Sequence, residues 1–137
     1  PEDREIWLGQ KGIRDVFDLA KAAHLLIVGI GTAEREASLV ATGMIEKGEI
    51  EEIKQAGGAG ELLGHFFNDK GAPVETALTE RTLSLGRQDL KDRRIVAVAG
   101  GRVKIRAIKS VLASGFLSGL ITDERSARSL LGEASPA

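Results

Sequence analysis

No cysteine occurs among the 137 residues, which excludes a disulfide framework and any thiolate metal site. Tyrosine is absent too. With one tryptophan and four phenylalanines the aromatic content is 4%, too little for the stacking platforms on which single-stranded nucleic acid lies. An excess of one charge is also missing: 19 basic residues face 20 acidic ones, for a formal net charge of −1, and the basic residues form no block. The chain is therefore not expected to hold DNA through its own surface. No apolar run approaches the ~20 residues that a membrane-spanning helix needs, and no signal peptide is visible. A cytoplasmic protein with no membrane partner is the expectation. What is present, 42% hydrophobic and 28% charged residues, fits one soluble globular domain or part of a larger one. The chain starts at Pro1 and its one methionine is Met44, so a segment upstream is expected.

The most informative stretch is Arg94–Lys104. Arg94 to Ala99 is a short apolar run with charge before it and glycines after it, which predicts a buried strand. Gly100 and Gly101 allow a tight turn. From Arg102 the spacing changes to that of a helix, with Val103, Ala107, Val111 and Leu112 on one side and Ile108 beside them. A strand thus feeds a helix through a glycine turn. Free backbone N–H groups and the positive dipole end at the helix start, with Lys104 in the first turn, suit an anion such as a phosphate. The alternative is a plain turn whose lysine faces solvent.

The rest of the chain repeats the alternation. Lys11–Ala23 has helical spacing of Ile13, Val16, Phe17, Ala20 and Ala23 and predicts a helix packing on a sheet. His24 leads into Leu25–Thr32, read as a second buried strand. Continuous apolar runs of this kind suggest strands covered on both faces, as in a parallel sheet. The Gly29-x-Gly31 pair has no third glycine at the dinucleotide spacing, so that fingerprint is rejected. Gly29, Gly31 and Thr32 remain candidates to line a ligand crevice, because open α/β sheets bind at the carboxyl ends of their strands. Ala37–Ile45 and Gly48–Gln55 read as helices, and Gly57–Gly60 as a break. Glu61–Phe67 reads as a strand, Asn68–Gly71 as a turn and Ala72–Glu80 as a loop. Thr82–Leu85 is expected to be a short strand and Asp89–Arg93 a connector. Gly119–Thr122 is the last strand, Asp123–Leu131 the last helix with Asp123 as its cap, and 132–137 a tail.

Several of these signals fall in one order: Val28-Gly29-Ile30-Gly31, Gly57 to Glu61, Phe66-Phe67-Asn68-Asp69-Lys70-Gly71, Arg81, Val96 to Gly101 with Lys104, and Thr122-Asp123-Glu124 with Ala127. Together, over Lys11 to Leu131, they resemble the sugar-binding effector domain of SorC/DeoR-type bacterial transcriptional regulators. The resemblance implies a three-layer α/β fold, a mostly parallel sheet with helices on both faces, like sugar-phosphate isomerases and CoA transferases. It also implies a small-molecule partner, a sugar or sugar phosphate, and a homo-oligomer. DNA would be held only through a helix-turn-helix domain absent from this chain, which would be the C-terminal portion of the effector domain. The family's early glycine-and-threonine phosphate loop is likewise absent. The sequence departs from the pattern at Glu61 and Asn68, where many members carry Asp. It departs also at His65, an often basic position, and at Thr32, where glycine or serine is commoner.

By this likeness Lys104 with the backbone after Gly100 and Gly101 is the first choice for an anion, and Glu61 for sugar hydroxyls. Asp69 and Asn68 are expected to build their turn first. Arg81 either reaches a phosphate or pairs with Glu80 or Asp69. Asp123 is a cap first and a ligand contact second. His24 and His65 stand alone without metal-ligand spacing, and no cofactor is called for. The alternative function is an isomerase- or deaminase-like enzyme, which needs a base and a partner acid; only Glu61 and Asp123 qualify as candidates, and no catalytic triad is visible. A sensor without chemistry is the favoured reading.

Overall fold

The computed structural model describes residues 2–34 and 38–132. Two helices, α1 (Glu2–Gly9) and α2 (Lys11–Ala22), precede strand β1 (Leu26–Val28) and the two-residue β2 (Gly31–Thr32). Helices α3 (Ser38–Ala41) and α4 (Lys47–Gln55) lead to β3 (Gly58–Leu62), β4 (His65–Asn68) and β5 (Pro73–Val74). After α5 (Ala77–Arg81) and α6 (Arg87–Leu90) come β6 (Ile95–Val98), a 3-10 turn (Arg102–Lys104), α7 (Ile105–Ala113), β7 (Gly119–Ile121) and α8 (Glu124–Leu131).

The α/β class and the parallel sheet expected from the sequence are both present. Strands β1, β6 and β7 form that sheet in the order β1-β6-β7. A second, antiparallel sheet runs β2-β3-β4-β5. The run Leu25–Thr32 is therefore not one strand. It leaves the parallel sheet after Val28 and joins the antiparallel one at Gly31, because Ile30 between them turns into the core and is almost wholly buried.

The glycines 57–60, read as a break, are mostly strand. A bulge at Ala59 shifts the register between Gly58 and Gly60, which turns these two glycines toward different helices. A side chain on Gly58 would strike Ile53 of α4, and one on Gly60 would strike the backbone of Ala107 in α7. Glycine thus lets two helices clamp one thin strand. The expected strand Glu61–Phe67 is instead a hairpin, bent at Leu63 and Gly64, both with positive φ (51° and 82°) as the tight mirror-image turns require. Beyond it, Asn68 Oδ1 accepts from the backbone of Lys70 and Ala72, which closes the expected turn with Gly71 at φ 78°.

Alternation along β4 divides the core. Phe67 joins Ile30, Leu62, Ala97, Ala107, Ile108 and Val111 between the two sheets and α7. Phe66 points the other way, to Ala33, Ile50, Ile53, Val74 and Leu78 beneath α4. Each large apolar side chain so buried stabilises the fold by roughly 1.5–3 kcal/mol.

Other expectations change in the structure. Helix α2 buries none of its residues, and Val16 lies exposed rather than against a sheet. The expected loop 72–80 contains β5 and most of α5, whereas Thr82–Leu85 forms no strand. On α7 the inner face is Ala107, Ile108 and Val111 with Ser110, while Val103 is 85% exposed because the 3-10 turn rotates it outward. Ser110 is buried where its hydroxyl donates to the carbonyls of Phe67 (2.9 Å) and Asn68 (2.8 Å). Leu131 at the end of α8 is exposed. Of the helix read over Ala37–Ile45, Ala37 lies outside the described residues, as do 133–137 of the tail.

Candidate functional site

The strand ends and the loops that leave them bring two groups of residues together. The first gathers where β1 gives way to β2. Gly31 pairs with Glu61 across β2 and β3, so closely that a side chain on Gly31 would collide with Glu61 Oε2. Lys104, reaching back from the start of α7, donates from Nζ to the Ile30 carbonyl oxygen at 2.9 Å. The lysine thus folds back onto the junction between β1 and β2. Glu61 Oε1 accepts from the Gly64 backbone at 2.5 Å. Burial pushes the Glu61 carboxyl above the usual carboxylate range, opposed by the Gly64 hydrogen bond and by the charges of His65 and Lys104. Thr32, one residue on, pairs with Gly60. Gly29 is exposed, with open space where its side chain would be.

The second group lies at the ends of β6 and β7. Asp123 caps α8, accepting from the Ser126 backbone at 2.9 Å and from its hydroxyl at 2.7 Å. The Gly101 N–H also donates to Asp123 Oδ2 (3.0 Å) and to Ser126 Oγ (2.9 Å). Gly100 must be glycine, because a side chain there would meet the same carboxylate. These hydrogen bonds, the Ser126 hydroxyl foremost, hold the Asp123 pKa down at about 2. A protein carboxylate therefore already takes the Gly101 amide expected for an anion. The 3-10 turn Arg102–Lys104 follows directly. The Lys104 N–H itself closes that turn onto the Gly101 carbonyl at 3.0 Å, which ties the two groups into one rim.

Two candidates sit elsewhere. Asp69 makes a two-pronged pair with Arg106, both bonds at 2.8 Å, and this pair lowers its pKa. Arg81 pairs with Glu49, not with Glu80 or Asp69. It lines an apolar groove of about 720 Å³ that also contains Ile27, Phe17 and Glu61. His65 has a structural partner, its Nε2 lying 2.7 Å from the Leu85 carbonyl oxygen, and His24 is exposed. Among the described residues no cluster of three potential metal ligands occurs. Ser126 escaped the sequence reading. Its signal was the three-residue spacing from Asp123, where a capped helix places a second hydrogen-bonding side chain.

Comparison with known proteins follows this geometry. The sequence profile described as "Putative sugar-binding domain" matches residues 1–132. The erythritol catabolism regulatory protein EryD of Brucella abortus (strain 2308) is 55% identical over 132 residues, covering 96% of this chain and 42% of that protein. The full-length sorbitol operon regulator SorC of Klebsiella pneumoniae superposes with a TM-score of 0.83 at 25% identity, over 96% of this chain and 42% of its own. A DeoR family transcriptional regulator from Listeria monocytogenes superposes with a TM-score of 0.86 at 24% identity, over 94% of this chain and 53% of its own, which speaks to the fold. The chain thus spans about two fifths to one half of the length of these relatives.

Proposed function

The chain belongs to this sugar-binding domain family, and from that premise we propose that it is one portion of the effector domain of a bacterial transcriptional regulator. It senses a sugar, a polyol or a phosphate ester of either. It performs no chemistry on the ligand, and it acts on operator DNA only through a domain outside these residues. The observation that carries this reading is that Lys104 and Glu61 come together at the junction where β1 passes into β2, near enough for the lysine's charge to act on the carboxylate. A cation and a carboxylate side by side suit a polyhydroxylated ligand with a charged end. The ammonium donates to phosphate oxygens, and the carboxylate accepts from hydroxyls. Gly31, lacking a side chain, leaves room for the Glu61 carboxylate itself. A part of a bacterial transcriptional regulator works in the cytoplasm, where the DNA is. Among the described residues no helix is long and apolar enough to cross a membrane.

The enzyme alternative needs an acid and a base facing one reacting carbon. Glu61 and Asp123 are the two carboxylates in question, and Asp123 is already held by Gly101 and Ser126. That engagement favours the sensor. Ligand binding would then shift an equilibrium between oligomer arrangements, provided it binds the two with different affinity.

The relative that regulates erythritol catabolism makes erythritol and erythritol phosphate the first probes, followed by pentose and hexose phosphates. Titrated into the longer regulator that carries this chain, a true effector raises the melting temperature, because it binds only the folded state, and changes operator affinity. Replacing Lys104 by Met should weaken a phosphorylated effector by about 10- to 100-fold, the worth of one charge-assisted hydrogen bond, and its unphosphorylated counterpart far less. Equal loss for both removes Lys104 from phosphate recognition. Turnover of any probe at enzymatic rates overturns the sensor reading.

A further inference from the structure

Ser126 lies in the first turn of α8 and is 2% exposed. Its backbone N–H serves the cap, donating to Asp123 Oδ1 at 2.9 Å. The helix therefore does not need the hydroxyl for its own start. The hydroxyl is nonetheless used twice: Oγ donates to Asp123 Oδ2 at 2.7 Å and accepts from the Gly101 N–H at 2.9 Å. A buried hydroxyl without partners costs free energy. One that finds its acceptor and its donor in this way ties α8 to a loop 25 residues upstream.

Gly101 is the point it ties. Its φ of 98° and ψ of 146° belong to a backbone region that glycine alone enters freely. With open space where a side chain would be, Gly101 has no packing of its own to hold that conformation. Hydrogen bonds hold it instead. Its N–H goes to Ser126 and to Asp123, and its carbonyl accepts from the Lys104 N–H at 3.0 Å. Of the two acceptors, Asp123 is exposed to water and Ser126 is buried. The hydroxyl is therefore the contact that water cannot readily replace.

We propose that Ser126 is a positioning residue: by fixing Gly101, its hydroxyl sets where the 3-10 turn begins, and so where the Lys104 ammonium stands relative to Ile30 and Glu61. The turn between them has three residues and is closed by the bond from Lys104 back to Gly101. So short a span cannot absorb a displacement at its start. At its far end Lys104 reaches the Ile30 carbonyl at 2.9 Å, and its charge acts on Glu61. Small misplacements of a binding group weaken a directional contact steeply, so a serine remote from the crevice in sequence governs the geometry there. The inference rests on the effector-domain reading only for what Lys104 is placed to hold; the placement itself is independent of it.

The test follows the Glu61 carboxyl, which senses the ammonium, by NMR titration of the longer regulator that carries this chain. Its glutamates are isotope-labelled, and the Glu61 signal is identified by its loss in Glu61→Gln. In Ser126→Ala the Glu61 midpoint should move to higher pH, because a displaced Lys104 favours the ionised carboxylate less. Ser126→Cys, close in shape but with a poorly accepting thiol, should do the same and serves if the alanine variant does not fold. Ser126→Thr, which keeps the hydroxyl, should titrate like the wild type, as should Ser129→Ala further along α8. In a Lys104→Met background Ser126→Ala should move nothing. A midpoint that stays in place in the alanine and cysteine variants overturns the proposal, as does a shift that persists without Lys104. A threonine variant that behaves like alanine also overturns it, since the effect would then follow size and not the hydroxyl. In Ser126→Ala erythritol phosphate should bind about 3- to 10-fold more weakly, the worth of one neutral hydrogen bond, and erythritol almost as in the wild type. If Glu61 responds as expected and neither probe binds even the wild type, the role of Ser126 stands and the effector reading loses its first probes instead.

Discussion

Lys104 and Ile30 lie 74 residues apart in sequence, yet the lysine ammonium donates to the isoleucine carbonyl at 2.9 Å. This single bond joins the start of α7 to the point where the chain crosses from the parallel to the antiparallel sheet. It also holds the cation near enough to Glu61 for its charge to favour the ionised carboxylate. The bond occupies both groups, so a bound anion would compete for the same ammonium.

If that bond braces the crossing, Lys104→Met should cost stability as well as affinity. A hydrogen bond of this kind contributes about 0.5–1.5 kcal/mol, toward the upper end when the donor is charged. A urea titration should show the midpoint falling with the slope unchanged. An unchanged midpoint would mean that water serves the Ile30 carbonyl equally well.

Glu61 predicts a specific pH dependence. Its pKa in the folded protein lies above the model-peptide value of 4.5 because burial disfavours the charged form. As pH rises through 4.5 and on through the folded value, the unfolded chain releases its proton first, so the folded state loses stability across that window. Above it the loss stays constant. Glu61→Gln, which cannot ionise, should gain on the wild type as pH rises through this range. Denaturation curves at several pH values check this; a constant difference between the two proteins would contradict it.

Asp123 should behave in the opposite sense. Its pKa of about 2 lies below the model value of 3.8, so its contribution is fully present above 3.8 and disappears as pH falls toward 2. Asp123→Asn should melt lower than the wild type at neutral pH and approach it in strong acid. Because the Gly101 amide also donates to this carboxylate, the same variant should show faster amide exchange at Gly101. Exchange there at the wild-type rate would mean that Ser126 alone holds the turn.

Glycine requirements separate sharply by position. Gly60→Ala places a carbon against the Ala107 backbone, where neither α7 nor β3 can move without disturbing the core. It should cost about 1–3 kcal/mol as overpacking does. Gly29→Ala meets open space and should change stability by no more than about 0.5 kcal/mol. Thermal melts of the two variants make the comparison, and equal effects would contradict the clamped-strand picture.

Much of this was legible before folding was considered. Periodicity marked α2 to within one residue at its end, marked α4 similarly, and placed β6, the glycine turn and α7 in order, because a helix or a buried strand writes its period locally. The cap at Asp123 and the turn at Asn68–Gly71 were legible for the same reason, since each is a bond between near neighbours. The ordered glycines and charged residues also carried the family.

What the tertiary structure alone decided is everything that depends on a distant partner. Gly58 and Gly60 look like chain breakers in isolation and become a strand only because α4 and α7 press on either side. Arg81 found Glu49 and Asp69 found Arg106 from parts of the chain that no spacing rule connects. Lys104 was a lysine in a first helical turn until the β1–β2 crossing brought the Ile30 carbonyl within its reach. Local sequence determines which elements form, because their hydrogen bonds close over a few residues. Which side chains share the crevice is set by how two sheets pack around one helix.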